Sequence, residues 1–255
     1  MIKVNNLGMH FGRGRGHTQV LKDINFHLAP GEFVTIIGRS GSGKSTFLDI
    51  LMGLVQPSEG TVERTNRASM SYVFQKPALL PWRNVLRNVY LPLQVRGVRR
   101  ADRLKAGMDA LRKVGLSYAA HLFPFQLSGG MAQRVAIARA LAEDPDILLM
   151  DEPFSALDPI LRENMNFNLL SLWQRTQKTI LFVTHSIEEA LILSDRIVIL
   201  EGGRFVQSFE VDIERPRTYE SFQDPRFSEL YRQIRNALPH QPNLPRLAPE
   251  EEEDP

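Results

Sequence analysis

Gly38-Arg39-Ser40-Gly41-Ser42-Gly43-Lys44-Ser45 matches the pattern G-x-x-x-x-G-K-[ST] at every specified position, and it constrains the fold more than any other stretch. Such a loop cradles phosphates where a strand runs into it and a helix leaves it. Both flanks are present: Phe33-Val34-Thr35-Ile36-Ile37 is a β-branched run, and Thr46 to Leu51 opens a helical pattern. Glycines at 38, 41 and 43 let backbone N–H groups turn inward, and the helix N-terminus adds partial positive charge. Lys44 is then expected against the β and γ phosphates of a nucleotide, with the Ser45 hydroxyl offered to Mg²⁺. An ordinary Gly/Ser turn entering a helix is the competing reading, and the strand ahead of the loop argues against it.

The rest of the chain has the means to build a core around this loop. Of its 255 residues 43% are hydrophobic, enough for one large α/β domain or two small ones. A net charge of +2 does not argue for nucleic acid as a partner, and the five acids from Glu250 to Asp254 leave the body only slightly more basic. The absence of cysteine excludes disulfides, iron–sulfur clusters and thiolate metal sites. Met1 to Asn6 carries no signal-peptide core, and no apolar run reaches membrane-helix length.

Along the chain, residues 1–32 alternate apolar and polar and predict an antiparallel hairpin or meander with a turn at Gly12 to Gly16. Phe11, just before that turn, is either a ring available to an adenine or part of the hairpin core. Phe47, Leu48, Leu51 and Leu54 mark one helix face, Pro57-Ser58-Glu59-Gly60 reads as a turn, and strands are expected at 61–64 and 69–74. After Gln75, prolines at 77 and 81 prevent helix or central strand, so Leu79, Leu80 and Trp82 form either a local core or a docking patch. Leu104, Met108, Leu111 and Val114 recur at helical spacing, and Ser128-Gly129-Gly130 precedes a helix from Ala132 to Ala142, a second place for an anion.

Ile147 to Met150 reads as a buried strand that ends in Asp151-Glu152, and in a parallel sheet such carboxylates point into the crevice shared with the phosphate loop. Asp158 before Pro159 is an N-cap for a helix to about Arg175, and capping alone accounts for it. Thr179 to Val183 is another buried strand, with His185 at its carboxyl end, either structural or within reach of a γ-phosphate. Ser186 and Glu189 suggest a capping box, Glu201-Gly202-Gly203 a hairpin turn, and Asp224-Pro225 the start of an amphipathic helix through Leu238. The Pro-rich, acid-ended remainder reads as a disordered tail.

Taken in order, Gly38 to Ser45, Gln75, Leu127-Ser128-Gly129-Gly130, Asp151-Glu152, Ser155-Ala156-Leu157-Asp158 and His185 resemble the ATP-binding cassette (ABC) ATPase subunits of transporters. The resemblance implies an α/β phosphate-loop NTPase core with a mostly parallel sheet, an N-terminal antiparallel subdomain and a helical signature subdomain. It divides the chain into an ATPase domain at 1–212 with a helical part at about 76–142, a helical C-terminal extension at 213–240 and an acidic tail at 241–255. It further implies ATP and Mg²⁺ as cofactors, and two copies closing head to tail around the nucleotides. Carried over residue by residue, Phe11 resembles the adenine-stacking aromatic. Gly38, Arg39, Ser40, Gly41, Ser42, Gly43, Lys44, Ser45 and Thr46 resemble the phosphate contacts. Ser45, Gln75 and Asp151 resemble the Mg²⁺ neighbours, and Glu152 resembles the general base. His185 resembles the γ-phosphate sensor, while Ser128, Gly129, Gly130 and Asp158 resemble groups that face the other copy's nucleotide. Met131 stands where Gln is commoner in this family, and the phosphate-contacting serine and glycines are unaffected by that change.

Ala78-Leu79-Leu80-Pro81-Trp82, Met131, Asp151-Glu152-Pro153-Phe154 and Ser186-Ile187-Glu188-Glu189-Ala190 look most similar to nitrate, sulfonate and taurine importer subunits. That likeness implies a cytoplasmic protein, peripheral on the inner face of the cell membrane, meeting permease subunits through 77–82 and, indirectly, a solute-binding protein. A subunit of a lipid-transport complex and a soluble, non-transport ABC ATPase are the alternatives.

Overall fold

The period of two in the first thirty residues folds as it must. Strands β1 (Ile2–Phe11) and β2 (Thr18–Leu28) pair antiparallel with Ile2 opposite Leu28 and Phe11 opposite Thr18, and β4 (Glu59–Arg64) pairs on the other side of β1. The computed structural model describes residues 1–12, 18–65, 68–155, 157–215 and 217–238. The turn expected at Gly12 to Gly16 therefore lies outside the described residues beyond Gly12, as does the tail expected at 241–255.

The second sheet carries the site. Its strands run in the order β5 (Met70–Val73), β6 (Ile147–Asp151), β7 (Thr179–Thr184), β3 (Phe33–Ile37), β8 (Arg196–Glu201) and β9 (Arg204–Glu210), parallel except for the last. Every residue of β3, β6 and β7 is buried, which is why these segments, apart from Asp151 at the end of β6, are unbroken apolar or threonine runs rather than alternating ones. Register aligns Ile37 with Thr184 and Asp151 with Val183, so the three strands deliver their carboxyl ends to one edge. In an open parallel sheet that edge is where ligands bind.

Each face of this sheet has its own apolar layer. One contains the antiparallel sheet and α1 (Lys44–Met52), with Phe26 and Phe47 edge to face at 5.5 Å. The other packs α2 (Val85–Val89), α3 (Leu91–Val95), α4 (Arg100–Lys113), α5 (Gly129–Ala142), α6 (Pro159–Thr176), α7 (Ile187–Leu193) and α8 (Pro225–Ala237). Phe227 and Ile234 of α8 are fully buried in that same layer, so the C-terminal helix is continuous with the core. Buried Arg217 anchors its approach by donating to the carbonyls of Leu191, Ser194, Val211 and Ile213. Among the described residues no helix is long and apolar enough to cross a membrane.

Several local expectations are corrected. Leu54 is not on the α1 face: the helix stops at Met52 because Gly53 adopts φ 84°, and Leu54 is left exposed. Glu59 and Gly60 belong to β4 rather than to a turn, since Gly60 lies so close to the carbonyls of Asn5 and Asn6 that a Cβ would stand 2.4 Å from them. Helix α5 begins at Gly129, not Ala132, because the Ser128 hydroxyl accepts from Met131 N and caps the glycines into its first turn. The capping box at 186–189 is half formed. Ser186 accepts from Glu189 N, but the Glu189 carboxylate is buried against the Thr184 hydroxyl, and Ser186 N donates to Thr184 Oγ1 instead.

Candidate functional site

The phosphate loop joins β3 to α1 through a backbone that side chains would obstruct. A Cβ on Gly38 would stand 2.2 Å from Leu200 O, and Gly43 sits at φ 103° beside Leu21. Gly43 is also the N-cap of α1 and supplies no side-chain acceptor, so the first-turn N–H groups keep their affinity for an anion. Lys44 Nζ lies over the loop and donates to Gly38 O and Arg39 O, each at 2.8 Å. Burial lowers the pKa of this ammonium against the opposing pull of Glu152, Asp151 and Glu201. An open cavity of about 300 Å³ is lined by residues 40, 41 and 43–46 together with Val20, Gln75 and Glu152.

Glu152 is the point on which separate strands converge. Its Oε1 lies 3.9 Å from Lys44 Nζ, while its Oε2 accepts from Gln75 Nε2 at 3.2 Å and stands 3.5 Å from His185 Nδ1. The residue adopts φ 43°, unusual for a β-carbon side chain, and its backbone is pinned there by Glu152 N to Val183 O and by Ser155 bonding to Glu152 O. Strain held by flanking hydrogen bonds aims this carboxylate off the end of β6 and over the loop.

Asp151, one residue earlier, points the other way and is buried beside Ser45, which hydrogen-bonds it. Burial raises the pKa of its carboxyl group, and the negative charges of Glu152 and Asp49 add to that, while Ser45 and Lys44 oppose it. A hydroxyl and a carboxylate side by side at the mouth of a phosphate loop are the hard oxygen donors that Mg²⁺ takes. Behind them, the Tyr72 hydroxyl hydrogen-bonds Asp49, and burial together with Asp151 and Asp49 raises the phenol's pKa. Neither Asp49 nor Tyr72 stood out in the sequence, where each sits at an unremarkable place in a helix and a strand.

The structure brings Lys44, Ser45, Thr46, Gln75, Asp151, Glu152 and His185 to one edge, although they span positions 44 to 185. Phe11 is half exposed at the end of β1 and is not among the residues lining the cavity. Ser128, Gly129, Gly130 and Asp158 do not line it either. Ser128 and Gly129 are exposed at the start of α5, Gly130 packs near Leu157 and Leu161, and Asp158 caps α6 by accepting from Leu161 N at 2.9 Å. They form a separate, outward-facing pair of helix N-termini.

The loop from 76 to 82 divides. Leu79 packs on the core, and Leu80 is tied at both its N–H and carbonyl to the fully buried Asn88, whereas Trp82 is 71% exposed. Arg139 donates to the carbonyls of Pro77 and Ala78 and holds the loop's first half against α5. The sequence expectation of one apolar unit is therefore replaced by a pinned base carrying a free aromatic.

Comparison with known proteins places this geometry. Residues 21–155 match the family described as ABC transporter. An aliphatic sulfonates import ATP-binding protein of Nocardia farcinica is 46% identical over 234 residues, covering 92% of this chain and 91% of that protein. A taurine import ATP-binding protein of Rhizobium johnstonii is 42% identical over 254 residues, covering 93% and 96%. Among solved structures, the dimeric, post-hydrolysis state of an ATP-binding cassette bound to ADP and Pi superposes with a TM-score of 0.78 at 36% identity, over 84% of this chain and 100% of that one.

Proposed function

The chain belongs to the ABC transporter family, and on that premise we propose that it is the ATP-hydrolysing subunit of an importer of the nitrate, sulfonate and taurine type. The observation that carries this reading is the Glu152 carboxylate, held between Lys44, Gln75 and His185 at the rim of the phosphate-loop cavity. A carboxylate so placed polarises water toward a γ-phosphate, with Gln75 and His185 orienting it and Lys44 countering charge that builds on the phosphates. ATP occupies the loop from Gly38 to Thr46, and Phe11 lies on the adenine side. Ser45, Gln75 and Asp151 are the groups that would hold Mg²⁺, which would supply positive charge to offset the negative charge of the phosphates.

In this reading Ser128, Gly129, Gly130 and Asp158 serve the nucleotide of a second copy, because they face outward, away from the loop cavity of their own chain. The dimeric cassette that superposes on the chain supports that arrangement. The domain at 1–212 is then the motor, 76–142 its partner-facing helical part, and 213–240 an extension, whose Arg217, Phe227 and Ile234 are buried against the rest, ahead of the acidic 241–255. Permease subunits, loaded in turn by a solute-binding protein, hold the protein at the inner face of the membrane and meet it around Trp82. Relatives named for sulfonates and taurine support a small anionic or zwitterionic solute.

Phosphate release from Mg·ATP by the purified chain, with sedimentation velocity in the presence and absence of ATP, tests the core of the proposal. Hydrolysis with ATP-dependent dimer formation is expected, and a monomer that binds ATP without hydrolysing it overturns the reading.

A further inference from the structure

Building on the reading of this chain as the motor of a membrane partner, we propose that the partner segment docking beside Trp82 is acidic and that Arg83, Arg87, Arg100 and Arg103 receive its carboxylates. The four guanidinium groups come from the lead into α2, from α2 itself and from the first turn of α4, and they line one cavity of about 490 Å³. Trp82, Tyr90 and Gln94 complete the lining, and among the described residues no carboxylate contributes to it.

None of the four arginines forms an ion pair among the described residues, and Arg103 Nη1 donates to the neutral carbonyl of Val98 at 3.3 Å. Arg83 Nη1 is steadied by Gln94 Oε1 at 2.9 Å, and Arg103 lies 5.4 Å from the Tyr90 ring centroid with its Nε buried and without a hydrogen-bond partner among the described residues. Two of the four occupy the N-terminal turn of α4, where the helix dipole disfavours cations, and the cap residue Arg99 provides no side-chain acceptor. Asp102, the acid in that turn, is engaged by Arg99 at 2.8 Å. Residues 82–105 hold seven Arg and Lys against one Asp, a surplus of six in a chain whose net charge is +2. An incoming carboxylate relieves this repulsion, fits the planar fork of arginine and meets the uncapped N–H groups of α4.

A polypeptide fits better than a bilayer surface. The arginines line a concavity rather than a convex basic face, and its rim carries an exposed tryptophan suited to anchoring a side-chain interface. The same surface continues through Leu80 and Ala78, both tied to the helical layer, to Gln75 and its bond to Glu152.

Fluorescein-labelled hexaglutamate titrated into the full-length protein by anisotropy tests the assignment, in about 0.1 M salt where charges are screened beyond about 10 Å. Saturable binding is expected, weakened about tenfold or more by Arg87→Gln with Arg100→Gln. The same charge removed elsewhere, by Arg204→Gln with Arg235→Gln, is expected to leave it within about twofold, with melting temperatures matched throughout. Equal loss in both pairs overturns the cavity as the site. Cavity-dependent binding of phosphatidylglycerol vesicles without hexaglutamate binding overturns the polypeptide in favour of lipid. Affinity that rises about tenfold when Glu250 to Glu253 are changed to Gln and Asp254 to Asn shows the chain's own acidic end as the occupant and overturns it as well. ATP hydrolysis in the same preparations separates the two levels, since intact hydrolysis without hexaglutamate binding removes this inference and leaves the motor reading standing.

Discussion

Gln75 Nε2 donates to Glu152 Oε2 at 3.2 Å, across 77 positions of sequence. That one bond joins the loop leading to Trp82 with the carboxylate at the rim of the phosphate site. Any shift of the loop's pinned base is thus felt at a carboxylate whose backbone is already held at φ 43°.

Replacing the carboxylate while keeping its shape separates binding from chemistry. Glu152→Gln is expected to retain ATP affinity and to lower hydrolysis by about 10²- to 10⁴-fold, the usual worth of a positioned general base. An ATP-bound dimer should accumulate and elute early in size exclusion. Phosphate release at the wild-type rate would show that another group activates the water.

Lys44→Ala should abolish ATP binding measured by calorimetry. The ammonium lies 2.8 Å from two loop carbonyls, and among the described residues that line the cavity no other side chain is cationic to replace it. Unchanged affinity would place the phosphates elsewhere.

Asp151→Asn should stabilise the nucleotide-free protein while removing the extra stability conferred by Mg·ATP. Burial raises the carboxyl pKa above its ordinary 3.8, so the group favours folding when protonated and that contribution is lost as pH rises through the folded-state pKa. Asparagine keeps the acceptor for Ser45 without the buried charge. The melting temperature at pH 7 should therefore rise, each 2–4 °C reporting roughly 1 kcal/mol in a domain of this size, and the gain should vanish toward about pH 4. A gain that persists in acid would assign it to packing instead.

Trp82 and Asn88 should separate docking from folding. Trp82→Ala removes an exposed ring, so the melting temperature should stay within about 1 °C, while co-purification with the membrane partner weakens by an amount typical of an aromatic anchor, about 2 kcal/mol. Asn88→Ala should do the reverse. It strips bonds from the carbonyls of Leu80, Arg83 and Asn84 and from Leu80 N, and the cost in stability should be about 2 kcal/mol or more. A large loss of melting temperature in Trp82→Ala would make that ring part of the core.

Local chemistry was legible wherever adjacent residues determine it. The turn at Gly38 to Ser45, the buried runs at 33–37 and 147–151, the Asp158-Pro159 helix start and the amphipathic helix after Asp224 each follow from backbone freedom, period and capping within a few positions. Residue order likewise implied which side chains meet at one sheet edge, because parallel strands expose their carboxyl ends together.

What only the tertiary structure decided depends on contacts between distant positions. Leu79, Leu80 and Trp82 read alike in sequence, yet Asn88 and the core take the first two and leave the third outside. Tyr72 meets Asp49 only because β5 lies beside β6 on the face that α1 covers. Arginines at 83, 87, 100 and 103 were a minor excess in a nearly neutral chain until the packing of α2 and α4 gathered them around one cavity. Apolar runs foretell which strands are buried, but the fate of a single side chain among look-alikes and the convergence of charges from separate helices depend on packed space, which spacing along the chain does not record.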